Sequence, residues 1–266
     1  MNANHVDPEL SELAELAKFA ARASAEVILP YFRSSLSVER KADGSPVTIA
    51  DKKAEECIRE LIGTHRPGDG WLGEEFGSKD GTSGYRWIID PIDGTIAFVH
   101  GVPLFGTLLA VEKDGQVLVG LINMPALQQM VIGIKGGGTF HNGQQCRVSQ
   151  TANMSEATVL TSNFNNLLKH HRQRGFNKLV QQAREARTWG DCFGYMMIAT
   201  GQAEIMIDPV VFPWDVAAMM PIITEAGGRI TDLDGRQDCS FRHVLASNGL
   251  LHAEALAAFA RERKAD

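Results

Sequence analysis

The sequence predicts an α/β protein, and three observations carry that prediction. Two stretches near the N-terminus repeat apolar residues at helical intervals, a middle stretch reads as successive strands with a hairpin signal, and a run of apolar residues after Pro213 reads as a buried helix stopped by Gly227-Gly228. With 266 residues, 44% of them hydrophobic, the chain can build one large domain or two small ones sharing a core.

Taken in order, Pro8 to Tyr31 places Leu10, Leu13, Leu16, Ala17, Ala20, Val27 and Ile28 at helical spacing, with Asp7 set to cap and Pro8 at the first helical position. Ser37 to Lys41 reads as a short strand and Ala42 to Pro46 as a turn. Thr48 and Asp51 have the S/T-x-x-D spacing of a helix start, ahead of a second helix through Ala54, Cys57, Ile58, Leu61 and Ile62. Lys52, Lys53, Glu55, Glu56 and Arg59 are assigned to its wet face. Trp71 and Leu72 form a short strand that ends in Glu74 and Glu75, and Tyr85 to Ile89 a buried strand that delivers Asp90. Leu104 to Glu112, Gln116 to Met124 and Gln128 to Lys135 follow as strands, the first two joined by Lys113-Asp114-Gly115. Phe140 to Gly143 and Arg147 to Ser149 complete that sheet.

Composition turns polar at Gln150 to Ser155, which divides residues 1–150, an α+β half, from residues 151–266, an α/β half, within one compact unit. Beyond it, Ala157 to Thr161 is a strand and Phe176 to Ala186 a helix, with His170 and His171 facing solvent. Trp189 to Tyr195 leads into an apolar helix over Met196 to Thr200. Strand Ala203 to Ile207 is ended by Asp208-Pro209. Pro213 to Gly228 is one helix, apolar nearly all round and therefore buried. Strands at Arg229 to Thr231 and Val244 to Ala246 and a helix from Ala253 to Arg263 follow.

A net charge of −6 comes with no long basic run, and the stretch Arg261 to Lys264 is broken by Glu262, so neither nucleic acid nor a membrane surface is supported as a partner. Cys57, Cys146, Cys192 and Cys239 lack metal-ligand spacing, no apolar segment follows a basic start, and no apolar run is long enough to span a bilayer. These features predict a reduced, cytoplasmic protein with neither disulfides nor a zinc knot.

The chemistry concentrates in Trp87 to Thr95. Asp90 stands at a strand's mouth, Pro91 stiffens the exit, Asp93 follows three residues on, Gly94 permits a close turn, and Thr95 offers a hydroxyl and an amide at a helix start. Two adjacent carboxylates repel unless a cation lies between them, and a hard cation prefers oxygen, so the stretch reads as a magnesium site. An isolated Asp-Pro-x-Asp-Gly is more often turn chemistry. Taken alone, Glu74 and Glu75 between glycines are better explained as surface acids, and Asp215 in the first turn of the apolar helix as an ordinary cap unless a cation lies beyond. Asp51 is as well explained by capping as by catalysis. Gly136-Gly137-Gly138 lacks the lysine and helix of a phosphate-binding loop.

Gly73-Glu74-Glu75, Trp87 to Thr95, and Trp214-Asp215 through Gly227-Gly228, in this order and spacing, resemble the three motifs of the inositol monophosphatase superfamily of metal-dependent phosphatases. The likeness runs over nearly the whole chain. It implies an α/β (α+β) layered sandwich of alternating helix and sheet layers, of the inositol monophosphatase and fructose bisphosphatase type. It also implies that Glu74, Asp90, the backbone carbonyl of Ile92, Asp93 and Asp215 hold Mg²⁺, two or three ions to a site. Asp51 and Thr95, hydrogen-bonded together, would orient and activate the attacking water, and the amides of Gly94 and Thr95 would cradle the phosphate. No phosphoenzyme is needed, and members of the family often pair as homodimers.

Within the superfamily, Gly101 to Leu108, Trp189 to Tyr195, and Asp208-Pro209 with Pro213 to Asp215 look like the branch that hydrolyses histidinol phosphate. Histidinol is a cation, which a pocket acid such as Asp191 would complement. Asp208 stands where the superfamily usually has a glutamate near the sugar, and Phe76 where many members have serine. Inositol 1-phosphate or a broader sugar-phosphate range is the alternative substrate. Bisphosphates are disfavoured because no added basic cluster is present. A regulatory or binding protein on the same fold is the non-enzymatic alternative, and the intact acid set argues against it.

Overall fold

The computed structural model describes residues 7–35, 38–40, 46–237 and 242–260. Helix α1 (Pro8–Ile28) opens with Asp7 accepting from the Glu9 amide and with Pro8 in the first turn, where a missing N–H costs nothing. Strand β1 (Val38–Arg40) pairs antiparallel with β2 (Pro46–Thr48). Residues 42–45 of the expected turn between them lie outside the described residues. Helix α2 (Ile49–His65) begins with the capping box its sequence predicts: Thr48 Oγ1 accepts from the Ala50 amide, and Asp51 Oδ2 accepts from the Thr48 amide.

The first sheet contains β3 (Gly70–Gly73), β4 (Gly77–Lys79), β5 (Tyr85–Asp93), β6 (Gly106–Lys113), β7 (Gln116–Met124), β8 (Gln129–Ile134), β9 (Gly138–His141) and β10 (Gln144–Cys146), in the order β10-β9-β8-β7-β6-β5-β3-β4. Only β3 and β5 run parallel. Helix α3 (Thr95–Val99) leaves β5 through Gly94, whose φ of 82° favours glycine. The strand expected over 147–149 does not form. Val148 instead donates its amide to the Ala226 carbonyl and buries its side chain between the sheets.

Helices α4 (Phe164–Lys169), α5 (Gln173–Gln182), α6 (Asp191–Ala199), α7 (Pro213–Val216), α8 (Met219–Glu225) and α9 (His252–Phe259) accompany a second sheet. Its strands are β11 (Thr158–Thr161), β12 (Glu185–Arg187), β13 (Ile205–Asp208), β14 (Arg229–Thr231) and β15 (Val244–Ser247), in the order β12-β11-β13-β15-β14. Three expectations need correction. The helix expected over 176–186 stops at Gln182, because Glu185–Arg187 is drawn out as an edge strand on β11, a non-local pairing that overrides local propensity. Helix α6 starts at Asp191 rather than Met196. The single helix expected from Pro213 is two, parted at Ala217-Ala218, since Pro221 has no N–H to donate to the Ala217 carbonyl.

Side-chain alternation along the strands sets the layers. Leu13, Ala17 and Ala21 of α1 and Ile58 and Ile62 of α2 cover Trp87, Ile89, Leu109, Val111 and Leu121. Ile88, Leu108, Ala110 and Ile122, one residue out of phase, belong to the opposite core with α6 and α8, closed from beyond by Leu160, Met206 and Ala246 of the second sheet. Val159, Ile205, Ile207 and Leu245 then face Phe176 and Leu179 of α5 and Ala255 and Phe259 of α9. The order is helix, sheet, helix, sheet, helix, the layered α/β sandwich expected. Each large apolar side chain buried in these layers contributes about 1.5–3 kcal/mol. Helix α8 lies directly on the first sheet: a Cβ on Gly120 would stand 2.1 Å from the Ala218 oxygen, and one on Gly133 2.5 Å from the Ile222 nitrogen. Among the described residues, no helix is long and apolar enough to cross a membrane.

Candidate active site

The C-terminal end of β5 is bulged. Asp90 faces Leu108 and Asp93 faces Gly106, so Pro91 and Ile92 together oppose the single residue Thr107. Residues three apart on a regular strand point to opposite faces; the extra residue brings Asp90 and Asp93 to the same side. Pro91 is tolerated because the bulge asks for no ladder hydrogen bond there. Asp215, in the first turn of α7, caps that helix by accepting from the Phe212 amide at 2.8 Å. It also reaches the bulge, and one carboxylate oxygen from each of Asp90, Asp93 and Asp215 lies within 4.8 Å of the others. Glu74 follows β3 and shares a hydrogen bond with Asp90. Burial first, then Glu74, Asp93 and Asp215, pushes Asp90 well above the usual carboxylate range. Burial, then Asp191 and Asp215, does the same to Asp93. Burial, with Glu74, Asp208 and Asp191 adding to it, brings Asp215 up to about 7. Asp90 Oδ1 is buried without a hydrogen-bond partner. Converging oxygens, mutual repulsion and an orphaned acceptor fit a divalent, oxygen-preferring cation.

Asp51 is buried at the start of α2, and burial raises its pKa most, opposed by hydrogen bonds from Thr48. The structure corrects its expected partner. Asp51 Oδ2 accepts from Thr48 Oγ1 at 2.7 Å, whereas Thr95 Oγ1 donates to the Ile92 carbonyl at 3.0 Å. Glu74 lies near enough to Asp51 to act on its charge, so α2 does border the acid cluster.

A cavity of about 560 Å³ opens beside the cluster, its wall including Asp93, Asp215, Asp191 and Asp208 with no lysine or arginine among the described lining residues. Asp191 has φ 51°, uncommon for a residue with a Cβ, and its amide donates to Ser162 Oγ at 2.7 Å. Its carboxylate stands close to Gly94, Oδ2 being 3.4 Å from where a Cβ on that glycine would sit. Burial, then Asp208, raises Asp191 to about 6. Asp208 has both oxygens engaged, Oδ1 by the Ser162 amide at 3.1 Å and Oδ2 by the Tyr195 hydroxyl at 2.7 Å. The next residue after Asp191 joins cavity to cluster, because the Cys192 amide donates to Asp93 Oδ2.

Glu55, expected on the wet face of α2, is instead fully buried, accepting from the Glu75 and Phe76 amides. The signal for it was spacing: Asp51, Glu55, Ile58 and Ile62 form one stripe along the helix, and all are buried. Cys192 and Tyr195 lie in the stretch Trp189 to Tyr195 without a role read for them, and Ser162 carries no motif. Among the remaining sequence features, His170 and His171 are exposed as expected. The glycine triplet is a turn whose Gly136 and Gly138 amides bind Glu225. Cys57, Cys146 and Cys192 are free, and Cys239 lies outside the described residues.

A layered sandwich with a carboxylate cage at one strand end, opening on an acidic cavity, defines a metal-dependent enzyme acting on a small molecule. The chain belongs to the inositol monophosphatase family, which matches residues 9–265. It is 42% identical to a histidinol-phosphatase of Chlorobaculum parvum over 92% of each chain. A histidinol-phosphatase of Mycobacterium tuberculosis is 38% identical, with 83% of this chain and 87% of the relative covered. Among solved structures, the extragenic suppressor protein suhB of Bartonella henselae superposes with a TM-score of 0.89 at 25% identity, covering 94% of this chain and 99% of that one.

Proposed function

We propose that this phosphoric monoester hydrolase cleaves histidinol phosphate to histidinol and phosphate with Mg²⁺ as its cofactor. The observation that carries the substrate is Asp191, a cavity-wall carboxylate outside the proposed metal set, with no lysine or arginine among the described lining residues. Such a wall suits an alcohol bearing an ammonium and an imidazole better than a neutral polyol. The naming of the Chlorobaculum and Mycobacterium relatives supports the same reading.

Glu74, Asp90, the Ile92 carbonyl, Asp93 and Asp215 would hold the metal. Bound there, Mg²⁺ supplies positive charge that polarises the phosphoryl group and makes water a better nucleophile. The chain's own groups orient the reaction. Gly94 and Thr95 present backbone amides at the start of α3 to phosphate oxygens. Thr95 Oγ1, its proton committed to Ile92, keeps lone pairs with which to accept from the attacking water, while the second lone pair of the Ile92 carbonyl stays available to the metal. Asp51, anchored by Thr48 on the α2 side of the cluster, would serve as the carboxylate base that takes up the water's proton. Asp191 holds the ammonium or imidazole, and Asp208 shapes the wall behind it. The proposal includes a cytoplasmic homodimer.

Phosphate release from histidinol phosphate and inositol 1-phosphate, measured side by side with Mg²⁺ and with EDTA, tests the reading. Faster cleavage of histidinol phosphate, abolished by EDTA, is expected. Preference for inositol 1-phosphate would overturn the substrate and leave the metal site standing.

A further inference from the structure

We propose that Glu55 and Arg59 of α2 clamp the turn after β3 so that Glu74 is held towards the metal, which makes Glu55 a positioning residue. The proposal rests on the reading of Glu74 as a metal ligand. Backbone on both sides of Glu74 is pinned. Its own amide donates to the Ile89 carbonyl of β5 at 3.2 Å, and the next two amides, of Glu75 and Phe76, donate to Glu55 Oε2 at 2.8 Å and Oε1 at 3.2 Å. Glu55 is 0% exposed, and room for it exists only because residue 73 is glycine, where a Cβ would fall 2.0 Å from Glu55 Oε1.

Arg59, one turn along α2 and near enough for its charge to act on Glu55, contacts the same segment. Its guanidinium lies 5.0 Å from the Trp71 ring of β3 and 5.1 Å from the Phe76 ring of the turn, the geometry of a cation held by two aromatic faces. Phe76, which the metal chemistry leaves unused, thereby acquires a role. A buried carboxylate is a costly choice for tying down a surface turn. It is also the side chain that can accept from two successive amides at once, whereas a glutamine in the same place would turn an N–H donor towards one of them. Fixing the two residues after Glu74 removes the backbone freedom that would let its carboxylate swing away from Asp90.

The experiment titrates metal-free, full-length protein with Mg²⁺ by calorimetry, beside thermal unfolding and phosphate release, for wild type, Glu55→Gln, Phe76→Ala and Glu74→Gln. Glu55→Gln is expected to weaken Mg²⁺ binding about tenfold or more. Activity should return at saturating Mg²⁺ with KM for histidinol phosphate unchanged. Phe76→Ala is expected to shift binding the same way by about threefold, and Glu74→Gln at least as far as Glu55→Gln. If Glu74→Gln weakens Mg²⁺ while Glu55→Gln binds it like wild type and only melts earlier, the clamp is refuted and Glu55 merely supports the fold. If Glu74→Gln itself binds Mg²⁺ like wild type, the metal reading of Glu74 falls and the clamp with it. Should Glu55→Gln not fold, Phe76→Ala, whose ring is 42% exposed, decides by the same criteria.

Discussion

Two groups of carboxylates lie side by side in this molecule and are held differently. At the end of β5, Asp90 keeps one buried oxygen without a partner, while Asp93 and Asp215 accept backbone amides from Cys192 and Phe212. On the cavity wall, both oxygens of Asp208 are engaged, by the Ser162 amide and the Tyr195 hydroxyl. A buried acid with open lone pairs is destabilised until a cation arrives; one with both oxygens bonded is part of the scaffold. Asp191 falls between them: it lines the cavity, but its amide donates to Ser162 Oγ and its carboxylate is also bonded by the Ser162 side chain. On the proposed function, the difference separates the first group, proposed to hold the metal, from Asp191, proposed to discriminate substrates, and from Asp208, which both donors tie into the fold.

The largest effect that sharpens this comparison is Asp93→Asn. Turnover should fall by roughly a thousandfold, as expected for loss of charge stabilisation at the reacting centre, with Tm unchanged or raised because a repelling carboxylate is gone. A near-wild-type rate in phosphate-release assays would break the division at its root. Asp191→Ala should lower kcat/KM on histidinol phosphate by about tenfold to a hundredfold, the value of one or two charge-assisted contacts, and leave a neutral phosphate ester within about threefold. Equal losses on both esters would make Asp191 scaffold like Asp208.

Asp208→Asn should act mainly on stability. One of its two donors, the Ser162 amide or the Tyr195 hydroxyl, would meet an N–H instead of an oxygen, costing about 1–3 kcal/mol in denaturant unfolding. Rates on cationic and neutral esters should fall together. The smallest expected effect is a pH dependence. Asp215 at about 7, with Asp90 and Asp93 also raised, retains protons in the metal-free fold that the unfolded chain has released above its ordinary carboxylate range. The folded state then binds more protons than the unfolded one, so these groups' contribution to stability falls as pH rises towards 7. Mg²⁺ bound at the proposed site would displace those protons, and the metal-induced rise in Tm should grow between about pH 6 and pH 8. A rise independent of pH would show that these acids do not face the ion.

Much of the metal group was legible because its residues are close in sequence: two acids around a proline at the end of an apolar strand announce a site. The bulge that turns Asp90 and Asp93 to the same side was not, since it arises from the register of β5 against β6. Asp215 is a sound N-cap as well as a member of the cluster, so its second role emerges only from tertiary placement. Glu55 was misplaced because charged residues default to the wet face, although its spacing with Asp51 and Ile58 marks the buried stripe. Edge strand β12 was hidden because its pairing with β11 is non-local. The break between α7 and α8 was legible in principle from Pro221, which helical periodicity alone does not register.

Gly120 and Gly133, the bare patch of sheet on which α8 rests, carry a lesson for anyone retuning the protein for heat tolerance. Replacing glycine with alanine is a routine route to greater stability because it restricts the unfolded chain. Here the added methyl at either position would meet backbone of the helical segment that follows Asp215. A mutant library filtered on activity should therefore retain these two glycines although neither touches the reaction, and the placement of the carboxylate cluster is partly recorded as two missing methyl groups in the opposite wall.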